Sequence, residues 1–382
     1  MNWSSLAIAG ASVWLIILLL PWRPWDTRQS LDSPPAPAEE EDLSHITVLI
    51  PARNEAEVIE ASLSGLLAQG AHLDIILIDD ASTDSTARVA EGMAGHNLRI
   101  IPGEPPPAGW SGKLWALEQG IRYVDTPLLL LMDADIELGP GILAELRNKM
   151  KQDGIQLISL MAGLRMVTFW ERLLMPAFIF FFKLIYPFRL SNSAFPGIAA
   201  AAGGCILMEK AALDSIGGFK ALRGHLIDDC ALAKRVKSSG YRTWIGLTHS
   251  AKSLRPYNHL MTIWKMVART AFTQLHYSTL LLLLCTALMI LAFWVPVLGL
   301  LLFPSSVARI ISLLALACMA LTYLPTLKFY RLSGWWAAAM PLIGTLYLAM
   351  TWSSAIWSWQ GKGSNWKDRS YLKNGSHEIS SA

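Results

Sequence analysis

Asp133 and Asp135 stand one residue apart at the end of an apolar run, Leu128-Leu-Leu-Leu-Met132. Carboxylates at that spacing, set beside a diphosphate, can share a hard divalent cation, Mg²⁺ or Mn²⁺, that takes its remaining ligands from water and phosphate oxygen. A plainer reading of Asp-x-Asp is an acidic turn closing a strand. Three further polar clusters keep it company: Pro51-Ala-Arg-Asn-Glu55, Asp79-Asp80-Ala-Ser-Thr-Asp84, and Asp228-Asp229 at the head of Cys-Ala-Leu-Ala-Lys-Arg235. Gly109, Gly112 and Lys113 form a fourth candidate, in which backbone N–H groups and one ammonium next to a helix start cradle phosphates. Their spacing is not that of a Walker loop, and a solvated loop lysine is the alternative for Lys113.

The elements that must position these residues follow from the hydrophobic pattern. Ile46-Thr-Val-Leu-Ile50 is β-branched and apolar and stops at Pro51. A helical pattern over Val58, Ile59, Leu63, Leu66 and Leu67 ends at Gly70, and Ile75-Ile-Leu-Ile78 runs into Asp79. Ser82 and Asp84 are natural N-caps for the helix that follows. Alternating strand and helix signals predict an α/β domain with a mostly parallel sheet. A strand buried on both faces cannot hold acids in its middle, so Asp133 and Asp135 are expected just past the carboxyl end of theirs. Open α/β sheets bind ligands at that edge.

The chain has 382 residues, is 53% hydrophobic and 16% charged, contains 16 Trp and has a mean hydropathy of +0.37. That balance fits one water-facing domain joined to membrane helices. A net charge of +3 without a Lys/Arg block argues against nucleic acid. Cys205, Cys230, Cys285 and Cys318 show no Cys-x-x-Cys spacing, so neither a disulfide framework nor a zinc site is expected and a reducing compartment fits. Residues 1–22 read as a retained transmembrane anchor: Trp3 to Leu20 is uncharged, no cleavage site follows, and Arg23 and Arg28 come after it, which sets the next residues in the cytoplasm. Residues 23–45, rich in Pro and acids, read as a linker. The α/β domain spans 46–276, and within it residues 173–190 form a broken, Phe-rich apolar stretch. It is read as an interfacial segment, with a buried helix as the alternative. Residues 277–360 hold three apolar stretches, Thr279–Phe303, Val307–Leu327 and Trp335–Trp359, and 361–382 form a basic tail with Lys362, Lys367, Arg369 and Lys373. Three crossings set that tail outside, whereas a re-entrant segment around Pro296 sets it inside.

The four polar clusters, in this order, resemble the family 2 glycosyltransferases with their GT-A nucleotide-sugar domain, over residues 46 to about 276. The resemblance implies that Pro51, Glu55, Asp79 and Asp80 bind the nucleoside, with Glu55 and Asp80 as its main acids. It implies that Lys113 and Asp133 serve the donor diphosphate and that Asp133 and Asp135 hold the metal. By position in its motif, Asp229 is the implied catalytic base, with Asp228 beside it. Here Asp228 stands where Glu is commoner, and a helix cap is the alternative for Asp229. Gly203-Gly204 and Ile216-Gly-Gly-Phe219 match the stretch that precedes the acceptor site. Polymer-making members carry Gln-x-x-Arg-Trp at the end of the domain; Met266-Val-Ala-Arg269-Thr270 keeps only Arg269. A single transfer is therefore implied, with Arg269 set against leaving diphosphate charge. Trp366-Lys-Asp-Arg-Ser-Tyr371 is similar to a Trp-Lys-Gly-Arg-x-Tyr tail of related enzymes. Over the whole chain the likeness is to the bacterial hopanoid-biosynthesis-associated glycosyltransferases, with the ceramide glucosyltransferases further off.

The expectation is an inverting enzyme of the bacterial cytoplasmic (inner) membrane, its catalytic domain in the cytoplasm. It moves one sugar from a nucleotide-sugar, a UDP-sugar first, to a lipid hydroxyl such as that of a hopanoid, and works among partners of a lipid biosynthesis pathway. Two other readings stay open: a polyprenyl-phosphate sugar transferase, and a scaffold that binds nucleotide-sugars without turnover.

Overall fold

The structure, a computed structural model, describes residues 2–34, 41–93, 95, 97–225, 227–361 and the backbone of two short strands at 365–366 and 369–370. Leu226, Glu39 and Glu40 of the linker, and the basic side chains of the tail lie outside the described residues. The chain divides into two compact units.

One unit comprises residues 31–163, 199–255 and the terminal 361–382. Besides the two short strands near the carboxyl terminus, its described strands are β1 (Ile46–Ala52), β2 (Asp74–Asp79), β3 (Leu98–Pro102), β4 (Leu128–Met132), β5 (Ile136–Leu138), β6 (Leu157–Gly163), β7 (Cys205–Glu209) and β8 (Thr243–Ser253). β1 to β8 form one sheet in the order β3-β2-β1-β4-β7-β6-β8-β5. β1 pairs parallel with β2 and β4, and β2 with β3. β7 runs antiparallel between β4 and β6, β8 is parallel to β6, and β5 is antiparallel to β8. Hence β1, β2, β3, β4, β6 and β8 point one way, and their carboxyl ends share one edge with the amino end of β7.

Side-chain alternation divides the core between the two faces of this sheet. Val48, Ile50, Ile75, Leu77, Leu130 and Met132 pack in one cluster, and Leu49, Ile76, Ile78, Leu129 and Leu131 in the other. The central strands read as unbroken apolar runs because both faces are covered. Pro51 sits inside β1 without breaking it. β1 meets β4 only over Ile46–Leu49, so the proline's missing N–H falls beyond that pairing. The stretch expected as a linker is tied down on either side of its undescribed part. Asp32 accepts from Thr248 Oγ1 at 2.8 Å and His249 N at 2.5 Å, and Leu43 is fully buried.

The other unit comprises residues 2–30, 164–198 and 256–360, so the 46–276 span is shared between the two units. Three of its helices are long and apolar enough to cross a membrane: Thr279–Leu302, Ser306–Phe329 and Gly334–Trp359. The amino-terminal helix, Trp3–Leu19, has 17 residues. At 1.5 Å per residue it reaches about 25 Å, at the short end of the range for a helix that spans a hydrocarbon core. The broken Phe-rich stretch is a helix, Phe169–Ile185, opened by a capping box of Thr168 and Glu171. Leu173, Leu174, Ala177 and Phe180 lie in this unit's own core.

Pro296 does not break the helix that holds it. The helix runs through from Thr279 to Leu302 with one π turn at Ile290–Trp294. A proline cannot donate to the carbonyl four residues back, here that of Ala292. Trp14 Nε1 donates to it instead at 2.6 Å, in a buried position. A backbone carbonyl in an apolar helix bundle must find a donor within the protein. Trp14→Phe keeps an aromatic ring but strands that oxygen, so we expect about 1–3 kcal/mol of destabilisation. It is measured as a lowered unfolding midpoint in detergent against the native chain; an unchanged midpoint contradicts this account.

Candidate functional site

The expected site residues of the sheet unit gather at its carboxyl edge. After β1, Asn54 adopts φ 52°, and after β2, Ala81 does the same. Left-handed backbone at non-glycine residues costs energy and needs surrounding support, and here the two loops lock each other. Arg53 Nη1 donates to the carbonyls of Asp80 (2.5 Å) and Ala81 (3.0 Å). Asn54 N donates to Ser82 Oγ, and Thr83 N to Asn54 Oδ1. Asp79 accepts from Ser82 N at 3.3 Å, and Asp80 is 1% exposed. The expected capping takes another form. The N-cap of the helix Thr86–Gly92 is Ser85, which makes no side-chain cap bond. Asp84 takes the N–H of Thr86 at 2.9 Å and also that of Ala56 at 3.1 Å, so it stitches the two loops together. Glu55 emerges from this lattice with its side chain 11% exposed.

Asp133 and Asp135 occupy the turn between β4 and β5, just past the carboxyl end of β4 as expected. The turn is held from both sides: Asp133 N donates to Gly204 O at 3.2 Å, and Leu254 N to Asp135 O at 2.8 Å. Each carboxylate meets a different cation. Lys113 Nζ lies 2.5 Å from Asp133 Oδ1, with 34% of the Asp133 side chain exposed. Arg255 Nε donates to Asp135 Oδ2 at 2.9 Å, and its Nη2 to Glu55 Oε1 at 2.7 Å. Ser253 Oγ also reaches Asp135 Oδ2, at 3.4 Å. Pattern reading missed Arg255. It follows the end of β8 and meets Asp135 through the antiparallel pairing of β5 with β8, which no local pattern announces.

Lys113 opens the helix Gly112–Gly120, capped by Ser111. Asp228 and Asp229 open the helix Asp228–Ser238. Asp229 Oδ1 accepts from Cys230 N at 2.8 Å and Oδ2 from Gly203 N at 2.9 Å. A Cβ on Gly203 would come 3.0 Å from Lys113 Nζ and 3.3 Å from Asp229 Oδ2, so glycine is what lets these two side chains close on the backbone. Lys113, Asp228, Asp229 and Gly203 line a small cavity of about 20 Å³, backed by Leu117 and Phe219.

The charges act on one another. Burial and the neighbouring Asp228 carboxylate push Asp229 up to about 6, against the pull of Lys113 and the N–H groups of Cys230 and Gly203. Burial, Asp135 and Asp228 hold Asp133 above the usual carboxylate range in spite of Lys113. Burial would lower Lys113, but Asp133, Asp228 and Asp229 outweigh it, and its ammonium is held firmly protonated. Arg269 belongs to the helical unit, exposed after the helix Leu260–Ala268.

Among the described residues no group of three or more His, Cys, Asp or Glu side chains could hold a metal by itself. The chain offers two carboxylates in one turn. That donor set fits an ion such as Mg²⁺, which keeps waters and takes one or two carboxylates together with substrate phosphate.

Residues 47–217 match the family model described as Glycosyl transferase family 2. A 4,4'-diaponeurosporenoate glycosyltransferase of Staphylococcus haemolyticus (strain JCSC1435) is 36% identical over 100 residues, 26% of this chain and 26% of its own. One from Staphylococcus aureus (strain USA300) is 34% identical over 91 residues, 24% of each chain. The match thus spans about a quarter of the length of these relatives. Among solved structures, the mannosyltransferase PcManGT from Pyrobaculum calidifontis, in complex with GDP-Man and Mn²⁺, superposes with a TM-score of 0.53 at 18% identity, over 93% of this chain and 99% of that one. Residues 47–217 thus match the family 2 glycosyltransferase model, within a GT-A fold whose sheet is mostly parallel.

Proposed function

We propose that this chain transfers one sugar from a nucleotide-sugar, with UDP as the first nucleotide to test, to a lipid acceptor at the bacterial inner membrane. The observation that carries the reading is the meeting of Lys113 and Asp229 in one cavity at the carboxyl edge of the sheet, where Lys113 also pairs with Asp133 of the Asp133/Asp135 turn. Three helices able to cross a membrane, in the same chain, support a lipid acceptor. Glu55, Asp79 and Asp80 bind the nucleoside at the ends of β1 and β2. Lys113 steadies the diphosphate. Asp133 and Asp135 are the residues that would hold Mg²⁺ or Mn²⁺, which when bound supplies positive charge against the leaving diphosphate.

Asp229 takes the proton of the acceptor hydroxyl as its oxygen attacks the anomeric carbon. The new C–O bond forms on the face opposite the one that breaks, so configuration inverts and the nucleoside diphosphate departs with the bonding pair. A hopanoid hydroxyl is the acceptor we put first. The relatives' names give a second candidate, a lipid carboxylate, which is ionised already and yields a glycosyl ester.

The experiment is transfer by the purified full-length protein in lipid vesicles. UDP-glucose and GDP-mannose are the donors, and hydroxyl- and carboxylate-bearing lipids the acceptors, with products read by mass spectrometry. One sugar per lipid is expected, and the product should survive mild alkali, which cleaves an ester. A ladder of oligosaccharides, or donor consumption with no glycolipid, contradicts the proposal. An alkali-labile product moves the acceptor to the carboxylate class.

A further inference from the structure

The guanidinium of Arg255 lies between two carboxylates from distant parts of the sheet. Its Nε meets Asp135 at 2.9 Å and its Nη2 meets Glu55 at 2.7 Å. Asp135 belongs to the turn that offers the metal its two carboxylates, whereas Glu55 is assigned to the nucleoside. With side chains 12% and 11% exposed, both acids are poorly screened by solvent, so a cation between them strongly affects any other cation nearby.

We propose that Arg255 is a positioning residue that acts as an internal cation, reserving the Glu55–Asp135 gap and confining the divalent ion to the Asp133 side of the turn. The inference rests on the nucleotide-sugar reading of the site. Two acids flanking a gap attract a divalent cation, and in that gap the ion would be displaced from the side shared with Asp133. A guanidinium suits the guard role because its fork contacts both carboxylates at once and it stays charged at any working pH.

The fold does not need Arg255 to place Asp135. The Asp135 carbonyl is held by Leu254 N, its neighbour Ile136 pairs with Ser253 in the β5–β8 ladder, and Ser253 Oγ meets its carboxylate. The guanidinium therefore supplies charge to a turn that the strands already hold.

The test is Mn²⁺ binding to the full-length protein without nucleotide, followed by electron paramagnetic resonance, in the native chain and in Arg255→Met, Arg255→Gln and Arg255→Lys. Arg255→Met and Arg255→Gln are expected to bind Mn²⁺ about tenfold more tightly or better, since one unit of repulsion beside the ion is removed. Arg255→Lys, which keeps the charge, should stay near native affinity. In the tight-binding variants UDP should improve Mn²⁺ affinity less than in the native chain, because the ion sits off the diphosphate side. Unchanged or weaker Mn²⁺ binding by folded Arg255→Gln, which keeps hydrogen-bond donors but not the charge, overturns the proposal. If the native chain binds no Mn²⁺ even with UDP, the metal reading of the site falls and this inference with it. Native binding with unaltered variants removes the Arg255 inference alone.

Discussion

Asp229→Asn is expected to depress turnover by ~10²–10⁴-fold, the usual cost of losing an acid–base group, with nucleotide affinity close to native. Asparagine keeps the size of the side chain and one oxygen able to accept from Cys230 N, but it has no basic site for the acceptor proton. Donor affinity should survive because Glu55, Asp80 and the Asp133/Asp135 turn are untouched, so the loss should appear in kcat rather than in donor KM. The pH profile gives a second readout. Burial and Asp228 raise Asp229 to about 6, and a base works only when deprotonated. The native kcat/KM should therefore be full above about pH 6 and fall tenfold per unit below it. Asp228→Asn removes a raising influence and should move this acid limb to lower pH. Lys113→Met removes a lowering influence and should move it toward neutrality. Opposite shifts from two neighbours of one carboxylate are hard to produce by loss of fold. Near-native rates in folded Asp229→Asn, with unchanged affinity, contradict both the base and the hydroxyl acceptor. An acceptor already ionised, a phosphate or a carboxylate, predicts only a small loss.

The parts of this site legible in the sequence are those where one strand carries its own ending. Leu128–Met132 is apolar throughout and stops at an acid, and β4 has those bounds. β1 and β2 were equally readable, although β1 continues to Ala52 because the missing N–H of Pro51 falls past the β4 pairing. What stayed hidden depends on register between distant segments. Arg255 becomes a neighbour of Asp135 only because β5 turns back antiparallel along β8, and no local pattern announces that pairing. The same holds for Asp84. Its place before a helix is visible, but the bond to Ala56 N requires the β1 and β2 loops to be side by side. Local pattern locates the acids, and the sheet decides which cation each one meets.

Removing the metal should be as severe as removing the base. Turnover of donor is expected to stop in excess chelator and to return with Mg²⁺ or Mn²⁺, and Asp135→Asn should lower it by roughly 10²–10³-fold, the equivalent of several kcal/mol of charge stabilisation. The chain brings two carboxylates to the turn and no further cluster of ligating side chains among the described residues, so losing either one removes half of its contribution. Asp135→Asn should still fold. The backbone bond from Leu254 N and the Ile136–Ser253 pairing do not involve the side chain, and asparagine can still accept from Arg255. It also leaves Lys113 against Asp133, so the readout separates loss of metal from collapse of the edge. The decisive measurements are donor turnover and Mn²⁺ binding on the same preparation, with the unfolding midpoint as control. Loss of both with an unchanged midpoint is the expected result. Full turnover in excess chelator would mean that Lys113 and Arg255 alone carry the diphosphate charge and that Asp133 and Asp135 serve only to position those two cations.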